Sequence, residues 1–323
     1  METTIEPVIP LAQDMDRVIA VFDEELRSDL PFVNKLTAEV GRRRGKLLRP
    51  RLLLTAGQAT GTLCEEHIIL AAVVEMVHMA TLVHDDVLDD ADVRRENDTI
   101  NRLIGNEGAV LLGDYLISHS YHLCSRLDST EASRRIAAVT NTICEGELMQ
   151  IENRGNFRLA EQQYLDIIRR KTASLTSLCC ELGATVSSAS GEVCRHLAEY
   201  GMLVGMAFQI VDDLLDLTAT QGETGKTVGR DADLGELTLP LIRFLGQSPP
   251  DQQTRLIDIL SNGDPRKSDH VRDLIGTSNC VEQAMELARA FVAEAVTHLA
   301  DLPESDAKAG LIAAAEYVVR RRR

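Results

Sequence analysis

The sequence of 323 residues contains no tryptophan, and aromatic residues make up only 3% of it. A hydrophobic core must therefore consist mainly of aliphatic side chains, for which 44% hydrophobic residues suffice. Basic residues are also in the minority, with 34 Lys plus Arg against 50 Asp plus Glu. This acidic balance argues against a general affinity for nucleic acid, which requires a basic surface.

Cysteine pairs of the CxxC type are absent, although the chain has seven cysteines. An odd number without paired spacing is typical neither of a disulfide framework nor of a zinc site, so we expect reduced, mostly buried thiols. The N-terminal stretch METTIEPVIP lacks the basic flank and apolar core of a signal peptide, and no run of about 18 apolar residues occurs. We therefore expect a cytoplasmic protein without a transmembrane segment.

Proline is absent between Arg51 and Leu239, so no proline interrupts a helix there. Apolar residues recur at helical spacing in HIILAAVVEMVHMATLVHDD, GAVLLGDYLISHSYHLC and YGMLVGMAFQIVDDLLDL, and two-residue alternation is scarce. No linker, low-complexity tract or short repeat divides the chain. These observations predict an all-α fold, and a single domain over residues 1–323 is the simplest organisation.

Acidic residues crowd into the segment LVHDDVLDDADVRR at residues 82–95. On a helix, His78, Thr81, Asp85 and Asp89 lie within about 80° of one another, so one face ends in carboxylates. Like charges three or four residues apart on a helix repel each other. Because apolar residues lead directly into this segment, a strongly charged ligand explains it better than simple solvation.

A second acidic cluster, FQIVDDLLD at residues 208–216, has the same DDxxD form and spaces Gln209, Asp212, Asp213 and Asp216 at i, i+3, i+4 and i+7. Carboxylates alone suit a hard cation such as Mg²⁺, which takes oxygen ligands and retains waters and substrate phosphates. Two such helices facing each other would bind metal and diphosphate. The alternative is a pair of solvated helix ends or N-caps, and the recurrence of the motif on two apolar helices weighs against it.

Basic residues supply the complementary charge. The stretch RRRGKLLRPR at residues 42–51 places Lys46 and Arg49 at i, i+3, which suits a diphosphate that carries no metal. Each basic residue taken singly is also explained as an exposed, solubilising charge. The further candidates are Arg94 and Arg95 after the first motif, Lys171 with Thr172 in KTASL, and Lys226 in TGKTVGRD.

Seven segments in order resemble the trans-isoprenyl diphosphate synthases, or polyprenyl synthetases, from about residue 41 to near the C-terminus. These segments are GKLLRP; EMVHMATLVHDDVLDDADVRR; Thr99 and Asn101 with GDYL; GELMQ; Tyr164 to KTASL; FQIVDDLLD; and GKTVGRD followed by TLP. The second segment is most similar to the medium- and long-chain members. Agreement of seven ordered segments is far more specific than any one of them.

The resemblance implies a bundle of mostly antiparallel helices around a deep central cavity, usually as a homodimer. It implies a prenyltransferase that condenses isopentenyl diphosphate head-to-tail with an allylic diphosphate, using several Mg²⁺ ions that Mn²⁺ can replace. An allylic carbocation forms when diphosphate leaves, and an apolar cavity protects it from water. A partner subunit of a second kind is a further possibility.

Carried over by position, the resemblance assigns a role to each candidate residue. The metal ligands would be Asp85, Asp89, Asp212 and Asp216, supported by Asp86 and Asp213. The allylic diphosphate would contact Arg94, Lys171, Thr172, Gln209 and Lys226. Isopentenyl diphosphate would contact Lys46, Arg49, His78 and Arg95. A satisfied core histidine is the alternative for His78. The terminal arginines, residues 320–323, either help to close the isopentenyl site or form a solvated tail, and we favour the tail.

Several positions depart from the family pattern, and all of them flank the core site. They are Arg44 in place of a glycine, Glu96 and Asp98 in RRENDT, Thr227 in place of a proline, and Glu236 in place of a lysine. A class I terpene cyclase and a non-catalytic partner subunit are the rival functions. The constellation of Lys46, Arg49 and His78 argues against the first, and intact acidic motifs argue against the second.

Product length depends in this family on the residues below the first acidic motif, where bulky aromatics stop chain growth. The positions four and five residues before Asp85 are Thr81 and Ala80, and Met76 and Val77 lie about one turn lower. None of them is aromatic. A deeper apolar channel accepts a longer chain, so we predict a product of about C30 to C50, with geranylgeranyl diphosphate as the alternative.

Overall fold

The computed structural model describes residues 11–91, 93–94, 97–218, 229–262, 264 and 266–321. Helices form nearly all of the regular structure in this part of the chain, which confirms the predicted all-α class. The exception is a short antiparallel pair of strands, β1 (Val93–Arg94) and β2 (Asn97–Asp98). It lies directly after the first acidic motif.

A π-helical turn, Arg169–Ala173, separates the seventh helix of the described residues from the eighth. In chain order the helices are α1 (Ala12–Glu25), α2 (Pro31–Arg42), α3 (Leu48–Thr60), α4 (Glu65–Leu88), α5 (Ile100–Cys124), α6 (Thr130–Glu152), α7 (Glu161–Ile168), α8 (Ser174–Val186), α9 (Gly191–Thr218), α10 (Arg230–Leu234), α11 (Leu239–Gln247), α12 (Pro250–Ser261), α13 (Lys267–Ile275), α14 (Cys280–Thr297) and α15 (Asp306–Arg320).

Prolines mark where several of these helices begin. Pro31, Pro240 and Pro250 lie in the first turns of α2, α11 and α12. A proline is tolerated there because the first N–H groups of a helix have no intrahelical partner. The proline-free stretch of the sequence contains the long helices α4, α5, α6 and α9, as its composition predicts.

Contacts divide the chain into two compact units. The first comprises Met1–Thr140, Leu175–Gly201 and His298–Ala314, and the second comprises Asn141–Ser174, Met202–Thr297 and Ala315–Arg323. The first acidic motif belongs to the first unit and the second motif to the second unit. The organisation of the chain as a single domain stays a prediction.

Helix α4 is the core helix of the first unit, and α1, α3 and α5 pack against it. Ile68, Val73, Met76 and Ala80 are fully buried. By length and composition alone α4 is apolar enough to cross a membrane, but 72% of its most apolar window is buried inside the protein. Its hydrophobicity is that expected of a helix covered on several sides by others.

The second unit has its own core around α11, which packs against α7, α12, α13 and α14. Leu239, Phe244 and Val271 are fully buried there. In the same unit α13 also contacts α10 and α12. These contacts hold α10 in place, and its first residues lie beside the second acidic motif.

The seven cysteines are all unpaired, as predicted, and four of them are buried. Burial raises the pKa of Cys179 to about 12. A thiol with such a pKa stays protonated at neutral pH and is a poor nucleophile or metal ligand.

A glycine controls how closely α3 and α8 approach in the first unit. A methyl group on Gly183 would lie 2.2 Å from the Leu53 carbonyl oxygen and 2.8 Å from the Gly57 nitrogen, both backbone atoms. The Gly183 carbonyl accepts a hydrogen bond from Nε2 of buried His67, at 3.1 Å. Burial lowers the pKa of His67, so its imidazole is neutral in this contact.

We expect Gly183→Ala to lower the free energy of unfolding by about 1–3 kcal/mol, because the helices must separate to admit the methyl group. Urea denaturation measures this change. Gly246→Ala is the matched control, since a methyl group there meets no atom within 4 Å and alanine favours the helix. Equal stability of the two variants would contradict the close-approach explanation.

Candidate functional site

The first acidic motif lies where α4 ends. Asp85 occupies the last turn, and Asp86 is buried. The helix ends at Leu88. Asp89 is therefore its C-cap, whereas the predicted helical face treated it as an interior helical residue. Its N–H still donates to the Asp85 carbonyl at 2.9 Å, which keeps the two aspartates in helical register. Asp90 then adopts a left-handed conformation, with φ of 52°, and turns the chain away.

Two buried polar residues tie the following segment back to the motif. The Thr99 hydroxyl donates to the Ala91 carbonyl at 2.5 Å, and the Asn101 amide donates to the Asp86 carbonyl at 3.2 Å. The Ala91 N–H also donates to the Asp86 carbonyl, at 2.8 Å. These bonds explain physically why Thr99 and Asn101 accompany the acidic motif.

Arg43 was treated in the sequence only as one of several neighbouring arginines, and the structure gives it a defined place. Its guanidinium bonds the Glu39 carboxylate at 2.7 Å and the Asp98 carbonyl at 3.0 Å. Burial lowers the pKa of Arg43, while the charges of Asp86 and Asp98 oppose this effect. Arg43 therefore links α2 to β2 and brings a positive charge near the buried Asp86.

The predicted contacts for isopentenyl diphosphate include a basic pair that the structure brings together. Arg49 in α3 and His78 in α4 lie 3.0 Å apart, between Nη1 and Nε2. Because an arginine only donates, His78 accepts through Nε2 and carries its proton on Nδ1. Lys46 precedes α3, and its carbonyl accepts from Nε of Arg51 at 3.1 Å. His78 therefore has a polar partner among the predicted site residues, on the helix that carries Asp85.

The second acidic motif lies inside α9, as predicted, and a chain of hydrogen bonds holds it. The Thr172 hydroxyl donates to Oε1 of Gln209 at 2.8 Å, and Nε2 of Gln209 donates to Oδ1 of Asp213 at 2.7 Å. The Tyr164 hydroxyl donates to the other Asp213 oxygen at 2.6 Å. Thr172, Gln209 and Asp213 were all predicted, whereas Tyr164 was noted only as a family match.

Carboxylates accumulate beside this chain in the second unit. Asp216 accepts backbone hydrogen bonds from Gly229 at 3.1 Å and Asp231 at 3.2 Å. Burial raises the pKa of Asp213 to about 7, and it raises the pKa values of Asp216 and Asp231 as well, with mutual repulsion adding to the effect. Buried carboxylates that repel one another in this way fit a bound divalent cation.

Asp231 was missed by the sequence interpretation, although it closes the quoted motif GKTVGRD. It lines a small cavity together with Asp213, Asp216, Thr238 and Ser268. The sequence showed only that Asp231 belongs to a segment that resembles the family. Nothing in that segment indicated that its carboxylate lies near α9. The contact joins residues that are 15 positions apart in the sequence, which no local pattern reports.

Lys171 lies in the π-helical turn and pairs with Glu147 of α6, with Nζ and Oε2 2.5 Å apart. A methyl group on the preceding Gly146 would lie 2.5 Å from the Lys171 backbone nitrogen. The GELMQ segment therefore supplies both a close backbone approach and a carboxylate partner for Lys171. GELMQ is one of the segments that resemble the family, but the sequence alone gave no physical reason for its presence.

The interpretation of the C-terminal arginines as a solvated tail is wrong for Arg321. Its side chain is only 7% exposed and lies 3.2 Å from Oδ1 of Asp212. It also donates to the Phe208 carbonyl at 2.8 Å and stacks over the Phe208 ring. Arg320 is exposed and pairs with Glu316, so the prediction holds for that residue. A run of like charges at a chain end gave no signal for the buried contact.

Some predicted residues fall outside the described part of the chain: Arg95, Glu96, Lys226, Thr227, Arg322 and Arg323. For Arg94 only the backbone, in β1, is described. The departure at Glu236 has a structural counterpart, because its carboxylate accepts from Nε of Arg154 at 2.8 Å and also contacts Gln150. The negative charge at this position is therefore paired with Arg154, which lies just after α6 in the same unit.

Aspartate-rich motifs on long apolar helices, each with cations or amides held beside them, define a class of helical proteins suited to metal and diphosphate. The chain belongs to the polyprenyl synthetase family, whose sequence profile matches residues 31–277. This confirms the family resemblance and, with it, the assignment to prenyltransferases.

Named relatives agree over almost the whole chain. The octaprenyl diphosphate synthase of Escherichia coli is 32% identical, with 97% of each chain covered. The heptaprenyl diphosphate synthase component 2 of Bacillus subtilis is 33% identical over 97% of this chain and 89% of the relative. A polyprenyl synthase structure from Caulobacter crescentus, complexed with calcium and isoprenyl diphosphate, has a TM-score of 0.92 at 30% identity, with 97% and 96% coverage. These names agree with a medium or long product and do not favour the rival functions.

We expect the stability of the metal-free protein to depend on the proton that Asp213 binds. The folded-state pKa of about 7 lies above the ordinary value of 3.8, so this proton stabilises the fold fully below about pH 4. The stabilisation is lost as the pH rises through about 7. Asp213→Asn cannot lose such a proton, so its stability relative to the wild type should increase between about pH 5 and pH 8.

Urea unfolding in chelator at the two pH values measures this change. Asp258→Asn, which alters an exposed aspartate of α12, is the control and should follow the wild type. Parallel pH curves for the wild type and Asp213→Asn would rule out a proton on the buried cluster.

Proposed function

We propose that this protein is a trans-polyprenyl diphosphate synthase that condenses isopentenyl diphosphate with an allylic diphosphate to a product of about C30 to C50. The observation that carries the proposal is the buried carboxylate group of the second motif, joined to Thr172 and Gln209 by hydrogen bonds. Such a group suits Mg²⁺, which carboxylates bind together with the phosphates of a substrate. The family membership supplies the reaction class.

The proposed roles follow the sequence assignments. Asp85, Asp89, Asp212 and Asp216 bind Mg²⁺, with Asp86 and Asp213 in support. Arg94, Lys171, Thr172, Gln209 and Lys226 contact the allylic diphosphate. Lys46, Arg49, His78 and Arg95 contact isopentenyl diphosphate. We add Asp231 to the carboxylates that support the second motif, because it faces the same small cavity as Asp216.

When bound, Mg²⁺ neutralises diphosphate oxygens and stabilises the charge that develops on the leaving group. The residues of the chain orient the two substrates for the departure of diphosphate. The Gln209 amide is fixed at both ends, by Thr172 and by Asp213, so its orientation is set before substrate arrives. Lys171 places a positive charge beside Thr172, and Glu147 holds that lysine in position.

The reaction needs no nucleophilic side chain. The allylic C–O bond breaks and its electron pair leaves with diphosphate, which produces an allylic cation. The C3–C4 double bond of isopentenyl diphosphate attacks this cation, and a proton is then lost to the departing diphosphate. Apolar walls keep water from the cation, and the aliphatic composition of α4 suits this requirement.

Assembly and location are also proposals. We expect a homodimer of single-domain subunits in the cytoplasm, and Mn²⁺ is expected to replace Mg²⁺. Leu103, Val110 and Leu111 of α5 are 48%, 41% and 68% exposed, which suits a protein contact on that helix. A subunit of a second kind is the alternative partner, since the Bacillus subtilis relative is named as component 2.

The test of the proposed function is product analysis after incubation with isopentenyl diphosphate and each of dimethylallyl, geranyl, farnesyl and geranylgeranyl diphosphate. We expect linear products longer than farnesyl diphosphate that require Mg²⁺ and disappear in chelator. Asp85→Asn and Asp212→Asn should each lower turnover by roughly 100-fold or more, as the loss of one preorganised electrostatic group does. Asp128→Asn changes an exposed aspartate and should leave turnover unchanged.

Near wild-type turnover in Asp85→Asn or Asp212→Asn would refute the metal assignment. Cyclised hydrocarbons would indicate a terpene cyclase instead. Inactivity of the wild type with every primer, alone and at high concentration, would favour a subunit that needs a partner.

Product length should respond to the position one turn before Asp85. Thr81 is half-buried, whereas Ala80 is fully buried, so a phenylalanine at 81 meets less resistance from the core than one at 80. We expect Thr81→Phe to shorten the products towards farnesyl diphosphate while the first condensation continues. Ala80→Phe should shorten them too, with an additional stability loss of about 1–3 kcal/mol from overpacking.

Chromatography of the products measures chain length, and Thr81→Val is the control because it keeps the side-chain size. A wild type that already stops at farnesyl diphosphate would contradict a deep channel below Asp85. A wild-type product distribution from both phenylalanine variants, while they remain folded, would contradict it as well.

A further inference from the structure

A cluster of two histidines and a glutamate lies in the first unit, apart from the acidic motifs in the sequence. Glu25 is the last residue of α1, and His119 and His122 are spaced i, i+3 near the end of α5. Nδ1 of His119 and Nδ1 of His122 lie 3.1 Å and 2.5 Å from the same oxygen of Glu25, Oε1. Among the residues that the structure describes, this is the group of three metal-ligand side chains whose ligand atoms all lie within 4.8 Å of one another.

The surroundings hold these side chains in place. The Glu25 carboxylate is 5% exposed, and its second oxygen, Oε2, lies 3.3 Å from Nη1 of Arg126. The ring of Tyr115 packs against the His119 ring with their centroids 4.2 Å apart. His122 is 66% exposed and gives the cluster access to solvent. Arg126 therefore occupies one oxygen of Glu25 and leaves the other to the two imidazoles.

The donor set selects one kind of cation. Two imidazole nitrogens with one carboxylate oxygen suit borderline transition metals, above all Zn²⁺, whereas Mg²⁺ prefers oxygen ligands alone. Metal–ligand bonds of about 2 Å place the ligand atoms of a tetrahedral site about 3.3 Å apart. The three ligand atoms here lie within 4.8 Å of one another, so side-chain rotations suffice to bring them to that separation. Coordination through Nδ1 requires that this nitrogen carry no proton, so each neutral imidazole keeps its one proton on Nε2 and any proton displaced from Nδ1 goes to solvent.

The simpler explanation is that the histidines only form hydrogen bonds or ion pairs with Glu25. Three features favour a ligand set over that explanation. Both imidazoles converge on one oxygen, Arg126 already pairs with the other oxygen, and the exposed His122 leaves room for water as a fourth ligand. One histidine would suffice to form a hydrogen bond with Oε1 of Glu25, whereas a metal site needs several ligand side chains at the same place.

We propose that Glu25, His119 and His122 form a binding site for a single Zn²⁺ ion, or a transition metal of similar preference, which joins the end of α1 to α5. The site is independent of the proposed prenyl transfer. A metal there adds a cross-link between two helices that pack on α4, so it stabilises the folded chain in proportion to its occupancy.

Zinc titration of the full chain tests the proposal. The protein is stripped with chelator and kept in excess Mg²⁺ to occupy the acidic motifs, and Zn²⁺ is titrated in competition with a chromogenic chelator. We expect one strong site per chain. His122→Ala and His119→Ala should each weaken it by at least about 100-fold, beyond the usual effect of losing an outer-shell partner. His270→Ala, which removes a histidine 3.5 Å from Asp264, is the matched control and should retain the site.

Cobalt supplies a second readout that does not depend on enzyme activity. Co²⁺ at this site should show d–d absorption without a thiolate charge-transfer band, which separates it from binding to the cysteines. Zinc should raise the thermal midpoint of the wild type and of His270→Ala, but not that of His122→Ala. Because His122 is exposed, its substitution should leave the fold intact, as circular dichroism can verify.

Failure of the wild type to bind Zn²⁺ in stoichiometric amounts would overturn the proposal in favour of simple ion pairs. Wild-type affinity in the double variant His119→Ala, His122→Ala would overturn it in favour of a site elsewhere. Neither result would bear on the prenyl transfer assay, which is carried out with Mg²⁺ alone.

Discussion

Repulsion between carboxylates in apolar surroundings is the constraint around which much of the second unit is organised. Two such charges about 4 Å apart repel by about 4 kcal/mol at an effective dielectric constant near 20. Without a bound metal ion, hydrogen-bond donors and an arginine of the chain offset this repulsion. Tyr164 and Gln209 donate to Asp213, two backbone N–H groups donate to Asp216, and Arg321 lies against Asp212.

The acidic segment of the first unit has a different structural setting. The motif stands at the end of a helix, so the chain leaves it at once through the left-handed Asp90. Among the described aspartates of the segment, Asp86 is the buried one, and Thr99 and Asn101 donate to backbone carbonyls around it. The second motif lies inside α9, so the same sequence pattern occurs at a helix end in one unit and within a helix in the other.

The sequence was informative wherever a property is local. Helical periodicity and the proline-free span predicted that both motifs lie on long helices, and this is the case. It was uninformative where a contact joins distant residues, because no local pattern reports it. Tyr164 meets Asp213 across 49 residues and Arg321 meets Asp212 across 109. A terminal arginine run looks the same whether one member is buried or all are solvated, so Arg321 could not be distinguished beforehand.

The π-helical turn before α8 has a consequence for how Lys171 and Thr172 are aimed. Its closing bond runs from the Ser174 N–H to the Arg169 carbonyl, five residues back instead of four. One additional residue is thus accommodated, and the helical phase after the turn is offset by about 100° from that before it. Chain length, and not side-chain identity, sets this angle. Deletion of Arg169 or Arg170 would rotate the lysine and threonine relative to Tyr164, even though every side chain of the site would be retained.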